Sequence, residues 1–200
     1  MLKKSLIVVA AIVLAFLAFV ATRPATYQVE RSLAMAARPA VLFPYLNAPK
    51  EFVAWSPWQK LDPNMKTTYA GPVAGVGASY TWVGNSAAGS GKMTITHSKA
   101  NELVQQDLEF LEPFASKSTV SFTVVPAADG SKVTWAMNGD NDFAGKLLCV
   151  FVSMDGMIGK DLEEGLGKLK VLVEAKAALP VGEAPPAPAG PVDGGAPAGL

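Results

Sequence analysis

Lys92-Met-Thr-Ile-Thr-His-Ser-Lys-Ala-Asn-Glu-Leu-Val-Gln-Gln-Asp-Leu-Glu-Phe-Leu111 contains two strands and the turn between them. Met93, Ile95 and His97 alternate with Thr94 and Thr96. After Lys99-Ala100-Asn101, Val104, Gln106, Leu108 and Phe110 alternate with Gln105, Asp107 and Glu109. Side chains of a strand point to opposite faces in turn, so each segment has one apolar and one polar face. Such alternation is expected of an antiparallel sheet with one wet side.

The same pattern extends outward from this hairpin. Tyr80 and Trp82 lie upstream, with Ser79 and Thr81 between and beside them. Downstream come Val120, Phe122 and Val124, then Val133, Trp135 and Met137. Strands are predicted at 78–83, 92–98, 102–111, 116–125 and 132–138. Cross-strand partners must share a face. A turn at Lys99-Ala100 pairs Ile95 with Val104 and Met93 with Gln106. A turn at Ala128-Asp129 pairs Phe122 with Trp135 and Val124 with Val133. Turns at Ala87-Ala88 and near Ala115 pair Tyr80 with Ile95, Trp82 with Met93 and Leu108 with Phe122. Each pairing keeps the apolar face together, and a slip of two residues would preserve it.

Residues 26–33 read as a first strand and 65–70 as a short one. Between them, 39–46 and 49–55 read as short helices, each opening at a proline. Residues 143–178 read as one terminal helical element in which Ile158, Leu162, Leu166, Leu169 and Val173 recur at helical spacing. Glu164 and Lys168 form an i,i+4 pair on the other side. Gly156, Gly159, Gly165 and Gly167 each cost a helix about 1 kcal/mol relative to alanine. Either close approach to the sheet or room for a ligand accounts for them.

The wording of the chain adds to this. Trp55-Ser-Pro-Trp58, Asp62-Pro63, Tyr69-Ala-Gly-Pro-Val and Gly75-Val-Gly-Ala-Ser-Tyr-Thr-Trp-Val-Gly-Asn85 resemble the START-like, or SRPBCC, superfamily of polyketide cyclase/dehydrase type. The closing phrase beginning Met154-Asp-Gly-Met-Ile-Gly-Lys also resembles that family's last helix. The resemblance covers residues 25–176. It implies an α+β helix-grip fold: a curved antiparallel sheet of about six or seven strands around a long C-terminal helix, with two short helices after the first strand. It also implies a cavity between sheet and helix. Some relatives are cyclases or dehydratases, but no catalytic set of theirs maps onto this chain.

At the N-terminus, Lys3-Lys4 precede an uncharged run from Ser5 to Thr22, long enough for a short membrane span. Cleavage after Ala21 or Ala18 would place Phe19 or Phe16 where a signal peptidase needs a small residue. An uncleaved anchor over residues 1–24 is therefore expected. The preceding lysines keep the N-terminus cytoplasmic. The protein is expected in the cell inner membrane as a single-pass protein, its domain (25–178) on the periplasmic, extracytoplasmic side. Residues 179–200 are mostly Pro, Gly and Ala and are expected to form a disordered tail.

Composition excludes several functions. Lysine plus arginine and aspartate plus glutamate are 17 each, leaving no basic excess for nucleic acid. Cys149 is the only cysteine, so no intrachain disulfide forms, and its apolar neighbours make it a small buried hydrophobe. His97 is the only histidine, too few for a metal site of ordinary type. No Gly-x-Ser-x-Gly elbow accompanies it. Gly89-Ser-Gly-Lys92 fails as a phosphate loop, since Ser86 and Met93 stand where Gly and Ser/Thr are required. No cofactor, metal or catalytic residue is implied, and protein partners stay open.

The expected function is therefore binding of a hydrophobic small molecule or lipid. Candidate ligand-binding residues are Trp55, Tyr69, Tyr80, Trp82, Met93, His97, Gln106, Leu108, Phe122, Trp135 and Met137. His97 reads first as a partly buried structural histidine on the inward face. Gln106 interrupts the apolar face; it needs a backbone or water partner, or else anchors a ligand head group. Asp107 and Glu109 face outward, which counts against acid–base chemistry inside. Two alternatives remain: a cyclase/dehydratase-like enzyme using His97, Gln106 and Tyr69 or Tyr80, and an effector-sensing or protein-interaction module at the membrane.

Overall fold

The computed structural model describes residues 2–178. The expected tail, 179–200, lies outside them. Helix α1 (Leu2–Ala21) leads into strand β1 (Thr26–Met35), then helices α2 (Pro39–Asn47) and α3 (Pro49–Trp55) and a short 3-10 helix (Pro57–Leu61). Strands β2 (Lys66–Ala70), β3 (Ser79–Val83), β4 (Ser90–Lys99), β5 (Leu103–Glu112), β6 (Ser116–Ala127) and β7 (Gly130–Asp140) follow, and helices α4 (Phe143–Phe151) and α5 (Met154–Ala178) close the chain.

The seven strands form one antiparallel sheet in the order β1-β7-β6-β5-β4-β3-β2. Consecutive strands from β2 to β7 are neighbours because short turns join them. Only β1 crosses, and α2, α3 and the 3-10 helix carry the chain from one sheet edge to the other. Proline opens α2, α3 and the 3-10 helix, where its missing N–H removes no helical bond. Ser56 caps the 3-10 helix by accepting from the Trp58 N–H at 3.4 Å.

Alternation predicts the faces correctly except at His97, and one register as well: Phe122 pairs with Trp135 and Val124 with Val133. The other three registers are corrected. Met93 pairs with Leu108 and Ile95 with Gln106; Tyr80 pairs with Met93; Val104, not Leu108, pairs with Phe122. All slips are even, so the apolar face survives them. Two irregularities between β4 and β5 do not preserve parity: Ser90 faces Glu112 but Gly91 faces Phe110, leaving Leu111 extra, and a second lies further along β4. There Ile95 faces Gln106 but His97 faces Gln105, so Thr96 is an extra, bulged residue. The bulge turns His97 to the outer, exposed face, contrary to expectation, and Ser98 inward. The Ser98 hydroxyl then donates to Asn47 Oδ1 at 2.7 Å.

The terminal element is also corrected: it breaks between Phe151 and Met154 into α4 and α5. Asp142 Oδ1 caps α4 by accepting from Gly145 N at 2.7 Å, and Ser153 Oγ accepts from Gly156 N at 3.2 Å at the start of α5. Helix α5 buries Leu162, Leu166, Leu169 and Val173, which share one face by their spacing. Ile158 is partly buried against the same core. This face packs on β1, α2, α3 and the 3-10 helix.

Two of the four α5 glycines have a packing reason. A Cβ at Gly165 would lie 2.6 Å from Trp135 Cζ3, and one at Gly159 would lie 2.1 Å from Arg31 Nη2. Close approach explains these positions. At Gly156 the nearest atom is 3.6 Å away and at Gly167 none lies within 4 Å. Over Gly159, the Arg31 guanidinium grips both Asp155 oxygens, at 2.7 and 3.0 Å, and Glu163 Oε1 at 2.6 Å. This clamp ties β1 to α5.

Candidate functional site

The space between sheet and α5 is filled at one end and open at the other. At the filled end, α3 inserts Phe52 and Trp55 against Phe122 and Trp135. Centroids lie 5.3 Å apart for Trp55–Trp135, 5.1 Å for Phe122–Trp135 and 4.9 Å for Phe52–Trp55. Such tilted and edge-on pairs add about 0.5–1.5 kcal/mol each beyond their buried area. Gln106 is buried at this end; its Nε2 donates weakly to Leu46 O at 3.4 Å, and Oε1 has no partner. The Trp135 Nε1 is likewise buried without a partner.

At the other end lies a cavity of about 440 Å3, within the usual size range of small-molecule sites. The sheet contributes Tyr80, Trp82, Met93, Leu108, Phe110 and Met137. Helix α5 contributes Met154, Met157, Ile158 and Asp161, and the 3-10 helix Trp58, Gln59 and Leu61. Tyr27, Ser56, Met65 and Ser116 complete the wall, with Ala87 and Ala88 at the lip.

Local sequence explains the placement of the rings. Trp82 pairs with Gly91, and a Cβ there would lie 2.4 Å from Trp82 Cη2, so the indole lies across the glycine. Trp82 Nε1 donates to Ala88 O at 3.1 Å, and the ring meets Phe110 edge-on at 5.7 Å. Tyr27 lies over Gly139 in the same way, 2.5 Å from a Cβ placed there. The lip is stitched down: Asn85 Oδ1 accepts from Ala87 N and Ala88 N, while Asp62 Oδ2 accepts from Asn85 N at 2.7 Å.

Polar groups are few. Burial, helped by the neighbouring Tyr69, pushes the Tyr80 phenol well above its ordinary pKa. Burial also raises Tyr27, although its hydrogen bond with the Ser118 hydroxyl at 2.9 Å works the other way. Both are neutral phenols at physiological pH. Asp161 is the only carboxylate among the described residues on the wall, and its Oδ2 accepts from Trp58 Nε1 at 3.1 Å. Among the described residues no group of three or more His, Cys, Asp or Glu side chains is placed to hold a metal.

Of the sequence-predicted set, Tyr80, Trp82, Met93, Leu108 and Met137 line this cavity together. Trp55, Gln106, Phe122 and Trp135 belong to the packed end instead. Tyr69 sits on the edge strand β2, 39% exposed, and His97 is on the outer face. The polar set named for the enzyme alternative therefore does not converge: only Tyr80 reaches the cavity. Residues the sequence did not single out for the site include Tyr27, Asp161 and three further methionines, Met65, Met154 and Met157, which join the expected Met93 and Met137. Met65, Met93, Met137, Met154 and Met157 line the cavity, out of seven in the chain. Unbranched thioether side chains make an adaptable apolar wall, and their abundance in an otherwise Leu/Val/Ala-rich chain was the available signal.

A curved antiparallel sheet folded about a long terminal helix defines the helix-grip class. Residues 26–174 match the family described as polyketide cyclase / dehydrase and lipid transport, and the chain belongs to that family. No curated protein matches the sequence. Solved structures share the fold at low identity. MLL2253 from Mesorhizobium loti is 16% identical with a TM-score of 0.55, over 74% of this chain and 98% of that one. CV1439 from Chromobacterium violaceum is 15% identical with a TM-score of 0.53, over 76% and 99%. The di-domain ARO/CYC protein StfQ of the steffimycin biosynthetic pathway is 9% identical with a TM-score of 0.54, over 76% of this chain and 52% of that one.

Outside this domain, residues Lys3–Ala21 form one helix long and apolar enough to cross a membrane, with almost none of it buried. A membrane span and a signal sequence both fit this helix.

Proposed function

We propose that this chain is a membrane-anchored binding domain that holds a hydrophobic small molecule or lipid in the cavity between the sheet and α5. The single observation that supports this most is the lining: a space of about 440 Å3 walled by aromatic and methionine side chains. Burying apolar ligand surface there contributes about 25 cal/mol per Å2. The hydroxyls of Tyr27 and Tyr80 and the Asp161 carboxylate supply the polar contacts that orient a head group. Residues 1–24 serve as the uncleaved anchor and 25–178 as the binding domain, on the extracytoplasmic side. No reaction is assigned.

The test is native mass spectrometry of the full-length protein released from detergent, followed by organic extraction. Wild type is expected to carry an apolar adduct. Met93→Trp, which fills the cavity from β4, is expected to lose the adduct while keeping its circular dichroism spectrum. An adduct that survives in Met93→Trp, or a wild-type protein that carries none and binds no ANS above the detergent background, would refute the reading.

A further inference from the structure

Helix α4 is apolar yet buries none of its residues; Cys149, expected to be buried, is only partly so. Phe143-Ala-Gly-Lys-Leu-Leu-Cys-Val-Phe151 carries one charge, on Lys146. Leu148 and Phe151 are 47% and 73% exposed, and Val152 beyond them 37%. A contiguous surface of this kind marks an interaction site.

Its neighbour identifies what covers it. The Phe151 ring lies 6.5 Å from that of Phe16, and Lys146 Nζ donates to Ala21 O at 3.4 Å. These two contacts set α4 antiparallel to α1. Phe16 lies about 7.5 Å along the helix axis from Ala21, at 1.5 Å per residue. If α1 crosses a bilayer, Ala21 marks the boundary and Phe16 lies within the hydrocarbon. Phe151 must then lie at the same depth. Lys146 sits at the boundary, where a lysine keeps its ammonium in the polar layer and its stem in the apolar one. The charge pattern along α4 thus matches the depth that its contacts with α1 impose.

We propose that α4 is a second membrane-embedded helix, with lipid acyl chains covering Leu148, Phe151 and Val152 beside α1. This rests on α1 being a membrane anchor. Met154 and Met157, on the cavity wall, follow α4 directly. Because Met154 follows the deeper, Phe151 end of α4, insertion brings that edge of the cavity against the apolar layer, where an apolar ligand passes between membrane and cavity with little exposure to water.

Spin-label accessibility in the full chain tests this. In a Cys149→Ser background, nitroxides are placed singly through Leu148→Cys, Phe151→Cys, Val152→Cys, Val13→Cys and Val171→Cys, in phosphatidylcholine–phosphatidylglycerol vesicles. Val13 reports the middle of α1; Val171, 69% exposed on α5, reports water. The oxygen-to-nickel-chelate collision ratio at 148, 151 and 152 is expected to be several-fold higher than at 171 and close to that at 13. Ratios at α4 equal to 171, with 13 reading as membrane, overturn the proposal and leave the anchor intact. Aqueous ratios at 13 as well overturn the anchor with it. Low accessibility to both agents with spin–spin broadening at 151 shows a second copy over α4, and also overturns the proposal. Two independent sites on α4 and one just beyond it keep the test open should one variant fail to fold.

Discussion

Two glycines on α5, two positions apart, should respond oppositely to the same substitution. Alanine in a helix interior is about 1 kcal/mol more favourable than glycine. At Gly167 nothing lies within 4 Å of the added Cβ, so Gly167→Ala should gain that full amount. At Gly165 the new Cβ meets Trp135 Cζ3 at 2.6 Å and Pro57 Cδ at 3.1 Å. Trp135 cannot withdraw, because Trp55, Phe122, Trp58 and Phe52 surround it with centroids at 5.3, 5.1, 5.6 and 6.0 Å. Overpacking a filled core costs about 1–3 kcal/mol. The propensity gain offsets about 1 of that, so Gly165→Ala should lose about 0–2 kcal/mol. Propensity cancels between the two variants, leaving a difference of about 1–3 kcal/mol, the packing cost alone. At about 2–4 °C per kcal/mol for a domain of this size, the melting temperatures should separate by about 2–12 °C. Thermal and urea unfolding of both full-length variants in one detergent measure it. Equal stabilisation of the two would show that α5 does not press on Trp135 and would refute the packing described.

Other consequences follow from the same contacts. Gln106→Met removes a buried oxygen that has no partner and a weak bond at 3.4 Å; stability in urea should stay level or rise by about 1 kcal/mol, and a loss of about 2 kcal/mol or more would mean the amide holds the core together. Asp155 is held below the ordinary aspartate range first by its hydrogen bond from Arg31. Its folded pKa is the depressed one, so its stabilisation is present above about pH 4 and is lost as pH falls through the folded value. Asp155→Asn should therefore be less stable than wild type at pH 7, and the two should converge toward about pH 2; a gap that persists in acid would exclude the ion pair as its cause. His97→Ala should leave both ligand retention and melting temperature near wild type, because the ring is on the outer face; loss of the bound adduct would contradict that placement.

Period-two alternation from Tyr80 to Met137 was enough to predict a one-sided antiparallel sheet, because burial of one face leaves a local trace in each strand. Spacing on α5 was legible for the same reason. What failed was what depends on counting across a gap. The bulge at Thr96 adds one residue to one strand, and no pattern in Thr-Ile-Thr-His-Ser announces it, so His97 was assigned the wrong face. Even register slips were invisible because they leave every side chain on its side. The site was half legible. Which inward residues border a void and which meet α3 depends on where Phe52 and Trp55 enter, a tertiary fact. Tyr80, Trp82 and Met137 therefore look no different in sequence from Phe122 and Trp135. The glycines of α5 were ambiguous until Trp135 and Arg31 were placed against Gly165 and Gly159.

Methionine methyl groups offer the most direct measurement of the central claim. Full-length protein labelled with 13C at methionine methyls, in amphipol, is titrated with a single-chain fatty acid. Met93, Met137, Met154 and Met157 line the cavity, whereas Met35 is buried away from it. Saturable shifts and intermolecular NOEs at those four, with Met35 unmoved, are the predicted result. A titration that leaves the four unchanged, or that perturbs Met35 equally, would contradict a ligand seated between the sheet and α5.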